Sequence, residues 1–342
     1  MITIFSEEHV RRNAQTELYG GQLVRPHECP ERAQMVLDRV KSVGLGDVTA
    51  PSRFELPPIL RVHDAQFVEF LSNAWADWVA AGHKGEAIPD NWPARRMTQR
   101  CPGSISGKLG YYAMAAETSI SEGSWEAARA AADVALTAAT LLHRGASSAF
   151  ALCRPPGHHA ARDLYGGYCF LNNAAIAAQF LCDQGAARVA ILDVDFHHGN
   201  GTQDIFYDRA DVLYVSLHGD PVDAFPYFSG YADETGVGAG LGFNLNLPLP
   251  RATEFSTWAA ALGTALGRIR KFSPDALIVS LGVDTFVDDP ISFFRLQSAD
   301  FRTYGRTIAG CKLPTMFVFE GGYAVADVGV NAVNVLTGFE EA

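Results

Sequence analysis

The sequence alternates short apolar runs with longer segments of helical periodicity, and this alternation restricts its fold more than any other feature. Seven runs have the composition of buried strands: ITIF (2–5), SAFALC (148–153), RVAILDVD (188–195), VLYVSLH (212–218), FNLNLP (243–248), ALIVSLGVD (276–284) and TMFVFEGG (315–322). Strands covered on both faces are apolar almost throughout, and strands that alternate with helices form parallel sheets. The pattern therefore predicts a doubly wound α/β protein with a mainly parallel sheet.

Helices are predicted between these strands and after the last of them. Their ranges are 31–42, 66–81, 125–143, 170–184, 254–271 and 299–309, with a final helix after Tyr323. Ser124 is predicted to cap the longest, alanine-rich helix, which ends at Gly145. Residues 84–108 are rich in Pro, Gly and charge, and they predict a long loop excursion. No stretch reads as a linker, so residues 1–342 are predicted to form one domain.

Composition restricts the class of protein. Apolar residues make up 48% of the chain, which supports a large core, and 27 basic against 38 acidic residues give a formal net charge of −11. This sign disfavours a partner bound through a phosphate backbone, so no nucleic acid is expected. No apolar run reaches the ~18–20 residues that span a bilayer, and no signal peptide is evident. The six scattered cysteines indicate a reduced, cytoplasmic enzyme rather than a disulfide framework.

Polar side chains follow four of the predicted strands at the point where each strand ends. In open α/β sheets, ligands bind beyond the carboxyl ends of the strands, so these side chains are expected to converge at one edge. The residues are His158 and His159 after the second strand, Asp193, Asp195, His197, His198 and Asn200 at the third, Asp284 at the sixth, and Tyr323 after the seventh.

Three of these residues form a candidate metal site. Residues two apart in an extended segment share a side, so Asp195 and His197 can face one centre that Asp284 reaches from another strand. Two carboxylates and one imidazole suit Zn²⁺ or Fe²⁺ with an open coordination position. The alternative is a buried hydrogen-bonded Asp–His network without a metal.

The adjacent histidines are candidates for proton transfer. Two carboxylates nearly cancel a divalent charge, so activation of water would need a base, which His158 or His159 can supply. Each imidazole needs a partner that fixes its tautomer, and Asp193 and Asn200 are the available groups. A histidine paired with Asn stays closer to neutral than one paired with Asp. Tyr323, after two glycines, can donate to a developing oxyanion, unless it is simply a packed tyrosine.

Several common motifs are absent. The glycine-rich GVGAGLG (236–242) contains neither G-x-G-x-x-G nor a Walker lysine. The chain also has no H-E-x-x-H and no G-x-S-x-G elbow.

The segments RPPGHHA, GGYCFLNNAAIAA, ILDVDFHHGNGTQDIFY, YVSLHGDP, SLGVDTF and EGGY together resemble the histone deacetylase superfamily, whose members have the arginase/deacetylase fold. The N-terminal SEEHVRRNAQTELYGG and the excursion HKGEAIPDNWPARR resemble the bacterial acetylpolyamine amidohydrolases of that superfamily. The resemblance implies a single domain with an eight-stranded sheet and helices on both faces. It also implies a zinc-dependent amidohydrolase that removes acetyl groups from acetylated polyamines or small diamines.

The resemblance assigns roles to residues of this chain. It makes Asp195, His197 and Asp284 the zinc ligands. His158 and His159 become the tandem catalytic histidines with Asp193 and Asn200 as their partners, and Tyr323 stabilises the oxyanion. It also implies that Tyr168 and Phe225 form the aromatic walls that contact the substrate, with Gly167 beside them.

Structural potassium or sodium ions are also implied. The first site would use Asp193, Asp195, His197, Ser216 and Leu217. The second would use the backbone around Phe206, Arg209, Val212 and Phe243.

One position departs from the pattern of the relatives. An acidic residue is expected near the end of the excursion, where it would meet the distal ammonium of a polyamine, and this chain has Ser106 there. Glu17 and Glu117 remain as acidic candidates. We therefore expect small acetylated diamines to be preferred over long polyamines. The resemblance also implies a homodimer in which residues 84–108 narrow the entrance to the active site.

Three other functions remain open. The first is a deacetylase that acts on acetyl-lysine in proteins or peptides. The second is a ureohydrolase of the same fold, although its dimanganese D-A-H-x-D pattern is absent. The third is a non-catalytic protein that binds an acylated ligand.

Overall fold

The computed structural model describes all residues from 1 to 342 and contains a central sheet of eight parallel strands. In chain order the strands are β1 (Ile2–Ile4), β4 (Val48–Thr49), β5 (Ser148–Ala151), β6 (Val189–Asp193), β7 (Val212–Gly219), β8 (Asn244–Leu249), β9 (Ala276–Leu281) and β10 (Thr315–Phe319). Their spatial order is β4-β1-β5-β10-β9-β6-β7-β8. A separate antiparallel hairpin consists of β2 (Glu17–Tyr19) and β3 (Gln22–Val24).

Ten α-helices surround the sheet. They are α1 (Pro30–Val43), α2 (Pro57–Leu60), α3 (Ala65–Ala80), α4 (Ile105–Tyr112), α5 (Ser124–His143), α6 (Asn173–Asp183), α7 (Asn200–Phe206), α8 (Phe255–Phe272), α9 (Ser298–Ala309) and α10 (Val325–Glu340). No helix is both long and apolar enough to cross a bilayer.

Alternate strand residues supply two separate cores. Ile191 of β6 and Ile278 of β9 pack with α3, α5 and α6, whereas Leu192 and Val279 pack on the opposite face with α1, α8, α9 and α10. Successive side chains of a strand point to opposite faces, so an apolar strand can serve both cores. The predicted doubly wound sheet is confirmed, and all its strand pairs are parallel.

Several predicted boundaries are wrong. Gly123, at φ 80°, caps α5, and Ser124 is its first residue, although the helix does end before Gly145. The excursion at 84–108 is not irregular to its end, because α4 begins at Ile105. The two-residue strand β4 is too short to leave an apolar pattern.

Candidate active site

Four neighbouring strands deliver the predicted polar residues to one edge of the sheet. The strands β5, β10, β9 and β6 are consecutive in the sheet, so their carboxyl ends lie side by side. Each of these strands is shorter at this end than predicted. For example, β6 stops at Asp193 and β9 stops at Leu281. Asp195, His197 and Asp284 therefore lie in bends beyond the strands, and the premise that Asp195 and His197 share an extended strand is wrong.

The bends nevertheless bring Asp195, His197 and Asp284 together. One potential ligand atom from each lies within 4.8 Å of the others, and all three side chains are buried. The Nδ1 atom of His197 lies 2.9 Å from Asp284 Oδ2 and 3.4 Å from Asp195 Oδ1. An imidazole nitrogen thus faces the same point as two carboxylates.

Backbone amides fix the carboxylates in this arrangement. Phe196 N donates to Asp284 Oδ1 at 2.7 Å, and Gly321 N donates to Asp195 Oδ2 at 2.8 Å. The pKa of Asp284 is raised well above its usual value, mainly by burial and then by the neighbouring charge of Asp195. Two buried carboxylates in contact are unfavourable unless a cation offsets them. A divalent metal ion with oxygen and nitrogen ligands, such as Zn²⁺, fits this group.

Because Gly282 has no side chain, the Asp195 carboxylate can occupy the space beside it. A Cβ atom at position 282 would lie 2.0 Å from Asp195 Oδ2. We expect Gly282→Ala to weaken metal affinity by ~10- to 100-fold, because the methyl group displaces the carboxylate of Asp195 from the metal-binding group. Competition with a chelator measures this affinity. Gly263→Ala on the exposed side of α8 is the control, since no atom lies within 4 Å of its Cβ, and equal affinities in the two variants would contradict the prediction.

The two histidines have different hydrogen-bond partners. His158 Nδ1 lies 3.1 Å from Asp193 Oδ2, and His159 Nδ1 lies 2.7 Å from Asn200 Oδ1. Their rings are 4.1 Å apart, centroid to centroid. Burial opposes a charge on His158, but Asp195 and Asp193 raise its pKa to about 10. Burial, together with the neighbouring His158 and His197, lowers the pKa of His159 well below 6.5.

A cavity of about 470 Å³ opens at this edge of the sheet. Of the predicted site residues it is lined by Glu117, His159, Gly167, Tyr168, His197, Phe225 and Tyr323. His158 does not line it and lies deeper. His159 is thus the member of the pair that can meet a bound molecule.

Aromatic side chains form much of the cavity wall. The Phe225 ring stands edge-on to His159, with centroids 5.1 Å apart, and the Tyr168 ring lies 5.5 Å from that of Tyr323. The Gly167 amide donates to Glu117 Oε1 at 2.6 Å, which fixes a carboxylate at the wall. The charged residues of the lining are two carboxylates, Glu117 and Asp223, and one guanidinium, Arg251. An aromatic cavity with an excess of carboxylates suits an apolar chain that carries a positive charge.

Two predicted substrate contacts are not part of this cavity. Glu17 is buried behind the wall, where its Oε1 accepts a hydrogen bond from the Tyr168 hydroxyl at 3.0 Å. Burial raises the pKa of Glu17 to about 7. Ser106 lies on α4, with its hydroxyl 3.3 Å from His83 Nε2, and is absent from the cavity of its own chain. Neither residue lines the cavity of a single chain, and their contact with a substrate stays a prediction.

The residues predicted to hold monovalent cations form two groups. Asp193 pairs with Ser216 across β6 and β7, and Leu217 follows on β7. In the second group, Arg209 N donates to the Phe206 carbonyl, and Tyr214 N donates to the Phe243 carbonyl. Val212 begins β7 between them. Cation binding at both groups stays a prediction.

Sequence reasoning missed several residues of the cavity wall. Pro290, Ile291, Ser292 and Phe293 line the cavity, and so do Leu18 and Tyr19 of the β2–β3 hairpin. The hairpin could have been predicted, because Gly20 and Gly21, at φ 57° and 79°, form the two-residue turn that a Gly-Gly sequence favours. The segment from 290 to 293 carries no polar motif that would have identified it.

Glu320 was also missed, although it belongs to the EGGY motif. This buried carboxylate accepts hydrogen bonds from Gly157 N at 2.6 Å and His158 N at 3.2 Å. It therefore fixes the backbone that carries the histidine pair. Burial raises the pKa of Glu320 to about 7.

Comparisons with known proteins agree with this site. The model of the histone deacetylase domain matches residues 26–339. The acetylpolyamine amidohydrolase of Mycoplana ramosa is 57% identical over 338 residues, 99% of either chain. Acetylpolyamine amidohydrolase 2 of Pseudomonas aeruginosa is 57% identical over 340 residues, again 99% of either chain.

The fold is similar to that of a solved relative. The crystal structure of acetylpolyamine aminohydrolase from Burkholderia pseudomallei superposes with a TM-score of 0.94 at 39% identity, covering 99% of this chain and 98% of the other. Because the histone deacetylase domain model and these full-length relatives match nearly the whole chain, the chain belongs to the histone deacetylase family.

Proposed function

We propose that this protein is a zinc-dependent amidohydrolase that removes the acetyl group from small acetylated polyamines and diamines. The observation that carries the proposal is that His197 of the metal-binding group, His159 and Tyr323 line the same cavity. The printed names of the full-length relatives, which are acetylpolyamine amidohydrolases, support the substrate class.

Different side chains of the site contribute to different steps of amide hydrolysis. Zn²⁺ held by Asp195, His197 and Asp284 would supply a Lewis acid for the carbonyl oxygen and for water. His159, kept neutral by burial and oriented by Asn200, takes a proton from the attacking water. The Tyr323 hydroxyl donates a hydrogen bond to the oxyanion that forms on the carbonyl oxygen when water attacks the carbon.

The second half of the reaction breaks the carbon–nitrogen bond. Asp195 and Asp193 favour a positive charge on His158, and that charge opposes one on His159, so His159 readily gives up the proton it took from water. His159 returns this proton to the leaving nitrogen as the carbon–nitrogen bond breaks, so the products are acetate and a free amine. Tyr168 and Phe225 line the cavity, and a bound substrate packed between them would reduce the water that competes for these hydrogen bonds.

The cavity selects a cationic amine through the carboxylate of Glu117. Its Oε1 is fixed by Gly167 N and by the Thr118 hydroxyl, at 2.6 and 3.0 Å. A carboxylate that is already oriented loses little entropy when it meets an ammonium group.

Short substrates are expected to be preferred. Ser106 does not line the cavity of its own chain, so its effect depends on the pairing of two copies that is proposed below, which would bring it to the entrance of the neighbouring copy's cavity. Because Ser106 carries no charge there, acetylputrescine and acetylcadaverine should have a higher kcat/KM than acetylspermine. Ser106→Glu should narrow that difference, and Ser72→Glu on the exposed face of α3 is the matched control. The measurement is kcat/KM for the three amines side by side. A clear preference of the natural sequence for acetylspermine would reject this specificity.

The same assay tests the alternative substrate class. An acetyl-lysine peptide is included beside the three amines. If the peptide is the better substrate, the protein is a peptide or protein deacetylase. If zinc binds but no acetamide is hydrolysed, the protein is a non-catalytic binder.

Residues 84–108 are proposed to pair two copies of the chain and to narrow the entrance. In support of this, Trp92 and Met97 are 44% and 68% exposed. The Arg95 guanidinium lies 5.6 Å from the ring of Phe228, which is itself 79% exposed. Exposed apolar groups of this kind mark interaction surfaces.

Met97→Glu is expected to shift the protein from dimer to monomer in sedimentation velocity. Met35→Glu, at an exposed methionine of α1, is the control and should stay dimeric. A natural sequence that is monomeric and fully active at assay concentrations would remove this proposal.

We extend the proposal to the remaining ions and to location. Potassium or sodium is proposed at the two predicted cation groups, with zinc rather than iron at the Asp–His–Asp group. All six cysteines are free, which supports a reducing compartment, and we propose the cytoplasm.

A further inference from the structure

The turn that carries Tyr323 contains little regular structure of its own. It begins after β10 at Phe319, passes through Gly321 and Gly322, and ends where α10 starts at Val325. Glycines leave a backbone conformationally free, whereas a hydroxyl that serves an oxyanion must be held within a fraction of an ångström. Neighbouring groups must therefore fix Tyr323.

One side of the turn is held by Arg32. This buried guanidinium donates from Nε to the Gly322 carbonyl at 2.6 Å, and its Cζ lies 4.6 Å from the centre of the Tyr323 ring. These contacts restrain the ring and the preceding carbonyl. They do not involve the backbone amide of Tyr323, which donates its hydrogen bond to another residue.

That partner is Asp289, which lies in the segment between β9 and α9. Its Oδ2 accepts a hydrogen bond from Tyr323 N at 2.7 Å, and its Oδ1 accepts one from Ile291 N at 3.1 Å. The side chain is only 7% exposed, and both of these hydrogen bonds come from uncharged backbone amides. A buried carboxylate without a cation is unfavourable, so its presence calls for a specific role.

The two hydrogen bonds join two parts of the cavity. Tyr323 lines one side, and Ile291, with its neighbours Pro290 and Phe293, lines another. An asparagine could offer only one acceptor oxygen here, and its amide group would face a backbone N–H. The carboxylate can satisfy both amides at once.

We infer that Asp289 is a positioning residue that places the Tyr323 hydroxyl relative to the cavity wall through hydrogen bonds to Tyr323 N and Ile291 N. This inference rests on the proposed function, since it assigns Asp289 to the same reaction. Asp289 touches neither the cavity nor the metal-binding group and acts only through Tyr323.

A double-mutant cycle tests the inference in the zinc-loaded protein. Asp289→Asn should lower kcat for acetylputrescine by about 10- to 100-fold, with KM changed less than about twofold, because the tyrosine is displaced while the binding walls remain. In a Tyr323→Phe background the same change should lower kcat by less than about twofold, since the hydroxyl is already absent. Asp288→Asn, at the exposed neighbouring aspartate, is the control.

Each outcome supports or rejects the inference. A loss in the natural sequence that disappears in the Tyr323→Phe background supports it, and equal losses in both backgrounds reject it. Asp289→Glu, which keeps the charge, is measured in the same way if Asp289→Asn unfolds. If both variants unfold, Asp289 is a stability element and the inference is rejected. Absence of turnover in the natural sequence would instead reject the proposed function.

Discussion

His159→Ala is expected to lower kcat for acetylputrescine by about 10²- to 10⁴-fold, the usual contribution of a positioned general base. The physical reason is that His159 is the only one of the paired histidines that lines the cavity, and burial keeps its ring neutral. Stopped assays at saturating substrate give kcat directly. Bound zinc should stay at one ion per chain, because His159 is not among the three metal-binding side chains.

The control for this prediction is His143→Ala, at an exposed histidine that ends α5. It should leave kcat unchanged. A second variant, Asn200→Ala, removes the oxygen that accepts from His159 Nδ1 and should give a smaller loss of about 10- to 100-fold. Full activity in His159→Ala would mean that His158 or another group removes the proton.

Tyr323→Phe is expected to lower kcat by about 10²- to 10³-fold, the loss measured when one oxyanion donor is removed from an enzyme. The ring contacts to Tyr168 and Arg32 do not involve the hydroxyl, so the melting temperature should hardly change. KM should also be little affected, since the hydroxyl acts mainly in the transition state.

The measurement is a steady-state comparison of kcat and KM, with thermal unfolding as the check on folding. Tyr111→Phe on α4 is the matched control, because it removes a hydroxyl outside the cavity. A Tyr323→Phe variant with unchanged kcat would show that the oxyanion is stabilised without this residue, and the inference about Asp289 would lose its basis.

Convergence of the site could be predicted because it follows from topology. Parallel strands end at one edge of their sheet, so residues that follow different strands meet there even when the strand order is unknown. The predicted strands nevertheless ran too far, to Asp195 and Asp284. An apolar run such as ALIVSLGVD gives no sign that hydrogen bonding stops at Leu281 and that the ligand lies in a bend.

The cavity walls were harder to predict, since they come from segments without regular structure. The segment from Pro290 to Phe293 reaches the site because the Phe293 carbonyl accepts from Ala252 N and Val287 N donates to the Leu296 carbonyl. Such loop contacts leave no periodic signal. The place of Glu17 was hard to predict for a related reason, because a carboxylate near an active site can equally hold a wall residue from behind.

The position of β10 has a consequence for how the protein is made. It is the last strand in chain order, yet it lies between β5 and β9 in the sheet. Until Thr315–Phe319 leaves the ribosome, the sheet exists as two halves with open inner edges. One half carries the histidine pair after β5, and the other carries all three metal-binding side chains. The Gly321 amide that fixes Asp195 is made only after this strand, so neither half holds a finished site, and the unpaired edges need protection from aggregation until synthesis is nearly complete.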